Sequence, residues 1–133
     1  MKPAYPAVAL RADHRCEYCH APEVVFNFPF EVEHIIPIAQ SGVDDATNLA
    51  LACRSCNLWK AAHLDGFDPE SNATVRLFHP RADQWETHFA VDPESGDIHG
   101  QSPSGRATIT RLRLNHPAQR LARQQWMRLG LFP

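Results

Sequence analysis

No stretch of eighteen consecutive apolar residues occurs in this chain, so no transmembrane helix is expected. The opening residues, Met1-Lys2-Pro3-Ala4-Tyr5-Pro6, lack the apolar core of a secretory leader. A soluble, cytoplasmic protein with no membrane partner is the expectation. Internal repeats and low-complexity tracts are also missing, which argues against solenoids and disordered arrays. Net charge is small, −2, and cysteine is scarce, with four in all. Acidic residues are entirely absent after Asp97, although fifteen precede it or stand there.

What is present supports one domain over residues 1–133. The chain is 44% hydrophobic with three tryptophans, enough for a real core. Eleven prolines point to short elements joined by irregular segments. A small loop-rich chain is helped by a covalent or metal staple.

The four cysteines form two pairs, Cys16-Glu17-Tyr18-Cys19 and Cys53-Arg54-Ser55-Cys56. Two disulfides would call for an oxidising compartment, and nothing in the sequence points to one. Each CxxC knuckle instead offers two thiolates from one tight turn, and a closed structural zinc site takes four such ligands in a tetrahedron. Zinc on Cys16, Cys19, Cys53 and Cys56 is the preferred reading.

Between the knuckles, Val24, Phe26, Phe28, Phe30 and Val32 alternate with Val25, Asn27, Pro29 and Glu31. Period two predicts extended strand over 24–32, continuing through Glu33-His34-Ile35. Pro29 marks an edge, a bulge or a break. Leu49–Ala52 reads as a short strand, and Ser55 as the cap of a helix from about Cys56 to Leu64. Elsewhere the patterns predict a short helix over 7–12 within a lead-in of residues 1–15, a polar link over 65–75 and a strand over 74–78. A helix follows over 81–89, then a turn over 92–97 and a helix from Ser104-Gly105 to Leu112. The last helix runs from Pro117 to Gly130, with Ala118, Leu121, Ala122, Gln125 and Leu129 as its apolar stripe and Arg120, Gln124 and Arg128 opposite.

Glu33, His34 and Asn57 suit hydrolysis of a phosphodiester. Histidine titrates in the range needed to take a proton from water. Glu33 can give a carboxylate, and Asn57 an amide oxygen, to a divalent ion that neutralises charge on phosphate and leaving oxygen. Taken singly, each residue also has a bland reading: a strand-end core histidine, a helix-start asparagine, an ordinary turn asparagine at 48. Their order and spacing together favour the catalytic one.

With Ser41-Gly42, Asn48-Leu49 and Cys53-x-x-Cys56-Asn57-x-x-Lys60 added to Cys16-x-x-Cys19 and Glu33-His34-Ile35-Ile36-Pro37, the chain resembles the HNH endonuclease family in its four-cysteine form. Leu77–Arg81, Trp85–Phe89 and Gly105–Thr108 extend the resemblance to small standalone bacterial HNH proteins. The resemblance implies an α+β fold: a zinc-stapled ββα-metal finger, core about 14–65, with a C-terminal strand-and-helix extension, about 66–133. It implies His34 as general base, Asn48 as the residue ordering the loop that aims it, and Glu33 and Asn57 as holders of the catalytic ion. Many members carry Asp in place of Glu33 and His in place of Asn57. A neutral amide oxygen favours Mg²⁺ or Mn²⁺ over softer ions. His63, six residues past Asn57, is not expected to be a ligand.

Residues 1–97 sum to −8 and residues 98–133 to +6. The basic tail over 106–128 (Arg106, Arg111, Arg113, Arg120, Arg123 and Arg128) reads as a phosphate grip on DNA or as a solvated helix face; RNA shares the same backbone chemistry. Arg54 sits inside the second knuckle, where it can meet a phosphate. Lys60 either meets a phosphate or caps its helix. Trp59, Trp85, Phe89 and Trp126 are assigned to the core rather than to base stacking. A zinc-stabilised nucleic-acid-binding module without turnover is the alternative function.

Overall fold

In the computed structural model, residues 3–133 are described; Met1 and Lys2, part of the expected lead-in, lie outside them. Helix α1 spans Tyr5–Arg11, with a proline in its first turn, where the missing N–H costs nothing. It buries Val8 and Ala9, and Arg11 donates to the carbonyl of Ala46 at 2.8 Å, tying the helix to the finger that follows.

That finger is a ββα unit. Strand β1, Glu31–His34, pairs antiparallel with β2, Leu49–Ala52, in the register Glu31↔Ala52 to His34↔Leu49. Helix α2, Arg54–Lys60, follows directly. All four residues of β2 are buried, which is why they read as a continuous apolar run rather than an alternation. Cys53 caps α2: its sulfur accepts the Cys56 N–H at 3.4 Å. The helix therefore starts two residues before the expected Cys56, and a positive φ at Ala61 ends it before Leu64.

The long strand expected over 24–32 is corrected. Glu23–Val25 is a 3-10 turn, and strand begins only at Glu31. Pro22 and Pro29 have no N–H to give a ladder, and β2 is four residues long, so nothing pairs with 24–30. Glu23 holds the irregular segment instead. Its buried carboxylate accepts from Tyr5 Oη, His14 Nδ1 and the Phe30 N–H, each at 2.7 Å.

After α2 come two hairpins. β3, Asp65–Asp68, pairs with β4, Ala73–Arg76, so the expected polar link contains a strand. With Gly66 and two aspartates in four residues, β3 carries little apolar signal. A Cβ on Gly66 would lie 3.2 Å from the Ala107 carbonyl, so glycine admits helix α4, Pro103–Leu112, against the hairpin. The predicted helix over 81–89 shrinks to α3, Trp85–His88. Asp83 accepts the His79 N–H and a forked pair from Arg76 at 2.9 and 2.6 Å, which fixes residues 79–83 as a turn. The predicted turn at 92–97 joins β5, Phe89–Val91, to β6, Ile98–Gly100.

Helix α5, Pro117–Arg128, has the predicted proline start, and Gly130 beyond it adopts a φ of 72°. Its inward face is not the predicted one. Leu121 and Leu129 are 58% and 69% exposed, whereas Arg123 is 1% exposed. Arg123 donates to the carbonyls of Gly96 at 2.7 Å and Leu114 at 2.5 Å, and to Asn115 Oδ1 at 2.9 Å. A buried guanidinium bonded through both Nε and Nη2 is a structural pin. The stripe misread the helix because arginine counts as polar in any hydrophobicity pattern.

The fold is α+β; among the described residues it has three two-stranded sheets and one hydrophobic cluster that runs from α1 through the finger to Leu112 and Leu114. The extension braces the first knuckle. Trp85 Nε1 donates to the Tyr18 carbonyl at 2.9 Å, its ring stacks on His20 with centroids 4.0 Å apart, and Arg81 pairs with Glu17. Trp85 and Phe89 thus pack as core, as expected. No helix among the described residues is long and apolar enough to cross a membrane.

Candidate active site and metal centre

Cys16, Cys19, Cys53 and Cys56 are all buried and free, and their four sulfurs lie within 4.8 Å of one another. Cys19 and Cys53 sulfurs are 3.8 Å apart. A tetrahedron with Zn–S arms of about 2.3 Å places its sulfurs about 3.8 Å apart, so the cluster fits zinc. Backbone bonds shape the first knuckle: Cys16 N–H to the Ala21 carbonyl at 3.0 Å and His20 N–H to the Cys16 carbonyl at 2.9 Å. Left to themselves, the thiols perturb one another strongly. Hydrogen bonds from its three neighbours, Cys16 first, hold Cys53 well below the ordinary thiol range. Bonding to Cys16, together with burial, pushes Cys19 and Cys56 well above it. A divalent cation resolves that conflict by stabilising all the thiolates at once.

The second cluster is open. Glu31, Glu33, His34 and Asn57 line one cleft of about 840 Å³ between β1 and the C-terminal half of α2. Alternation along β1 puts Glu31 and Glu33 on the same face, with His34 on the other at the strand's end.

Glu33 is buried. It accepts a hydrogen bond from Tyr18 Oη, and Lys60 Nζ lies 3.5 Å from its other oxygen. Burial pushes the Glu33 carboxyl up; Lys60 and Tyr18 pull it down without cancelling that rise. Lys60 is itself buried and donates to the Ile35 carbonyl at 2.8 Å. It is the internal counter-ion of Glu33 and does not reach a phosphate from the surface, which corrects both sequence readings of it.

Asn57 meets Glu31, to which its amide nitrogen donates. The amide oxygen is then the atom Asn57 would offer a cation. Glu31 also pairs with the exposed Arg54 at 3.5 Å on the rim of the cleft. Sequence reasoning passed over Glu31, yet its position two residues before Glu33 was the available signal, since that spacing puts both carboxylates on one strand face.

His34 Nε2 lies 2.7 Å from Asp44 Oδ1. Asp44, in the loop between β1 and β2, was also passed over. Asn48, buried, accepts the Ile36 N–H at 2.9 Å and donates to the carbonyls of Ile36 and Val43 at 2.8 Å each. All its side-chain hydrogen-bonding atoms close the loop between β1 and β2. Gly42 belongs to that closure: a Cβ there would lie 1.8 Å from the Ile36 carbonyl oxygen.

The basic tail divides. Arg106 forks onto buried Asp68 at 2.9 and 3.1 Å, Arg120 lies 2.6 Å from Asp97, and Arg123 is interior. Each of these three has a partner within the protein, and only Arg123 is fully buried. Arg111, Arg113 and Arg128 remain toward solvent, with Arg54 beside the cleft.

Residues 16–62 match the family model described as HNH endonuclease. No curated protein and no solved structure matches the chain. The matched segment begins at the first zinc-type knuckle, runs through both strands of the finger and ends just past α2. Over that segment, with its ββα order and four-thiol cluster, the chain is similar to the HNH endonuclease family.

Proposed function

We propose that this protein is a divalent-metal-dependent endonuclease that hydrolyses phosphodiester bonds in DNA. The observation that carries the reading is the cleft itself. One imidazole, two carboxylates and an amide oxygen open onto the same space in a finger whose thiols are segregated elsewhere. The oxygen donors of Glu33 and Asn57, with Glu31 beside them, are the hard set that suits Mg²⁺ or Mn²⁺. When bound there, such an ion supplies Lewis-acid stabilisation to the scissile phosphate and the leaving oxygen.

The chain's own residues do the rest. His34 takes a proton from water, and the water oxygen forms the new bond to phosphorus. The bond to the 3′-oxygen breaks and that oxygen takes a proton from solvent, leaving 5′-phosphate and 3′-hydroxyl ends. Asp44, accepting from Nε2–H, fixes the tautomer in which Nδ1 carries the free lone pair. Asn48 holds the loop on which Asp44 rides, and so aims the base from a distance. Lys60 and Tyr18 keep Glu33 in place within a site too buried for a carboxylate to stand alone. Zinc on the four cysteines has no open position and serves structure only.

Supercoiled plasmid incubated with Mg²⁺ or Mn²⁺ tests the reading. Nicking by the wild type and its loss in His34→Ala are expected. Equal nicking by both, or none with either ion, would leave the zinc-stabilised binding module as the better account.

A further inference from the structure

A second groove, of about 490 Å³, lies on the far side of the C-terminal end of α2. Ala61 lines both this groove and the catalytic cleft, so the two adjoin at the helix end. The groove has an unusual wall for a chain with excess acid. Arg111, Arg113 and His63 line it, and no carboxylate does. Arg113 stacks on Trp59, its guanidinium carbon 3.6 Å from the ring centroid. That contact holds the charge in place without neutralising it. Arg111 lies 3.5 Å from His63. Beside these cations three large apolar side chains are uncovered: Leu58 at 60%, Phe67 at 47% and Trp59 at 37% exposure.

Guanidiniums with no carboxylate beside them in the groove call for a polyanion, and flat exposed apolar surface next to them calls for something flat that the polyanion carries. A duplex offers phosphates but keeps its bases stacked inside. An unpaired stretch offers both. We propose that this groove takes an unpaired stretch of the nucleic-acid strand flanking the cut, with phosphates on Arg111 and Arg113 and a base against Phe67 and Leu58. The inference rests on the nuclease reading of the neighbouring cleft and adds the form of substrate that cleft receives. It also revises Trp59: the ring is neither simple core nor a bare stacking surface, but the platform that sets Arg113.

The test uses the full-length, zinc-loaded His34→Ala protein, which leaves the probe uncut, and fluorescence anisotropy on two labelled oligonucleotides. One is a blunt duplex, the other the same duplex with an unpaired flank. The flanked probe is expected to bind about 10-fold tighter. Arg111→Gln/Arg113→Gln, which keeps the side-chain stems, should erase that preference. It should also make the slope of log affinity against log salt shallower by about 1.4, the effect of two lost contacts to single-strand phosphates. Phe67→Ala, a substitution on an exposed strand face, should reduce the preference and leave the salt slope unchanged. Equal binding of the two probes, or a double variant that keeps the preference, overturns the groove and leaves the nuclease reading standing. No affinity for either probe overturns both.

Discussion

The finger holds two sets of metal-type ligands, and they are built in opposite ways. The four thiols converge on one another in the interior, and each finds mainly other thiols. The oxygen and imidazole groups of the cleft are instead each engaged by a protein partner: Glu33 by Tyr18 and Lys60, Asn57 by Glu31, His34 by Asp44. The first set is coherent only around a cation. The second is engaged by protein partners throughout. The zinc-type set and the proposed working set therefore differ in what their side chains bond to.

The largest effect follows from the first half of that comparison. Apparent binding energies of structural zinc run to about 10–16 kcal/mol, as large as the whole stability of a domain, about 5–15 kcal/mol. Cys53→Ser removes a thiolate ligand while leaving a hydroxyl that can still cap α2, and should abolish the cooperative thermal transition of the finger followed by circular dichroism. Omitting Mg²⁺ and Mn²⁺ from the buffer should lower that transition only by the small increment that a weakly bound ion gives the folded state. A folded Cys53→Ser protein, or loss of the cooperative transition on omitting Mg²⁺, would break the distinction.

Next in size is the base. His34→Ala should lower cleavage by about 10²- to 10⁴-fold with no comparable change in melting temperature, because His34 is only half-buried at the strand end. Unfolding of this variant would make His34 part of the core and would remove the main support for its chemical role.

The thiol set was fully legible in the sequence, because CxxC spacing alone makes each knuckle a chelating turn. The ββα order was legible from the run at 49–52 and the knuckle after it. Much of the cleft's support was not. Glu33's neighbours, Tyr18 and Lys60, come from fifteen residues before it and twenty-seven after it, and no local pattern pairs them. The expected strand at 24–30 failed because periodicity registers side chains and not the missing N–H groups of two prolines. Arg123 failed for the converse reason: burial of a charge is decided by acceptors on Gly96, Leu114 and Asn115, which only the folded chain assembles.

A smaller effect is expected at Asp44, since it acts through His34. Asp44→Asn should lower kcat about 10-fold, the lower end for loss of a residue that orients an active-site ligand, while KM stays unchanged. Asp44→Glu should recover part of the loss. Asp44 is exposed and its carboxylate engages His34, so a stability role would not produce that split. A rise in KM with kcat intact would assign Asp44 to substrate contact instead.

The smallest effect lies outside the finger and asks whether the divided basic tail is real. Asp68 accepts the fork of Arg106 and the N–H groups of Glu70 and Ser71, and the Arg106 bonds foremost hold its carboxyl well below the usual carboxylate range. An aspartate in the unfolded chain titrates near about 3.9. With the folded value lower, the carboxylate contributes stability above that pH, and the contribution drains away as pH falls toward the folded value. Asp68→Asn should therefore lower the melting temperature at pH 5–7, and the gap to wild type should narrow steadily between pH 4 and pH 2. Arg106→Gln should show the same pH signature and leave the salt dependence of nucleic-acid binding unchanged, in contrast to Arg111→Gln/Arg113→Gln. A change in that salt dependence would return Arg106 to the phosphate-binding surface and erase the line drawn through the tail.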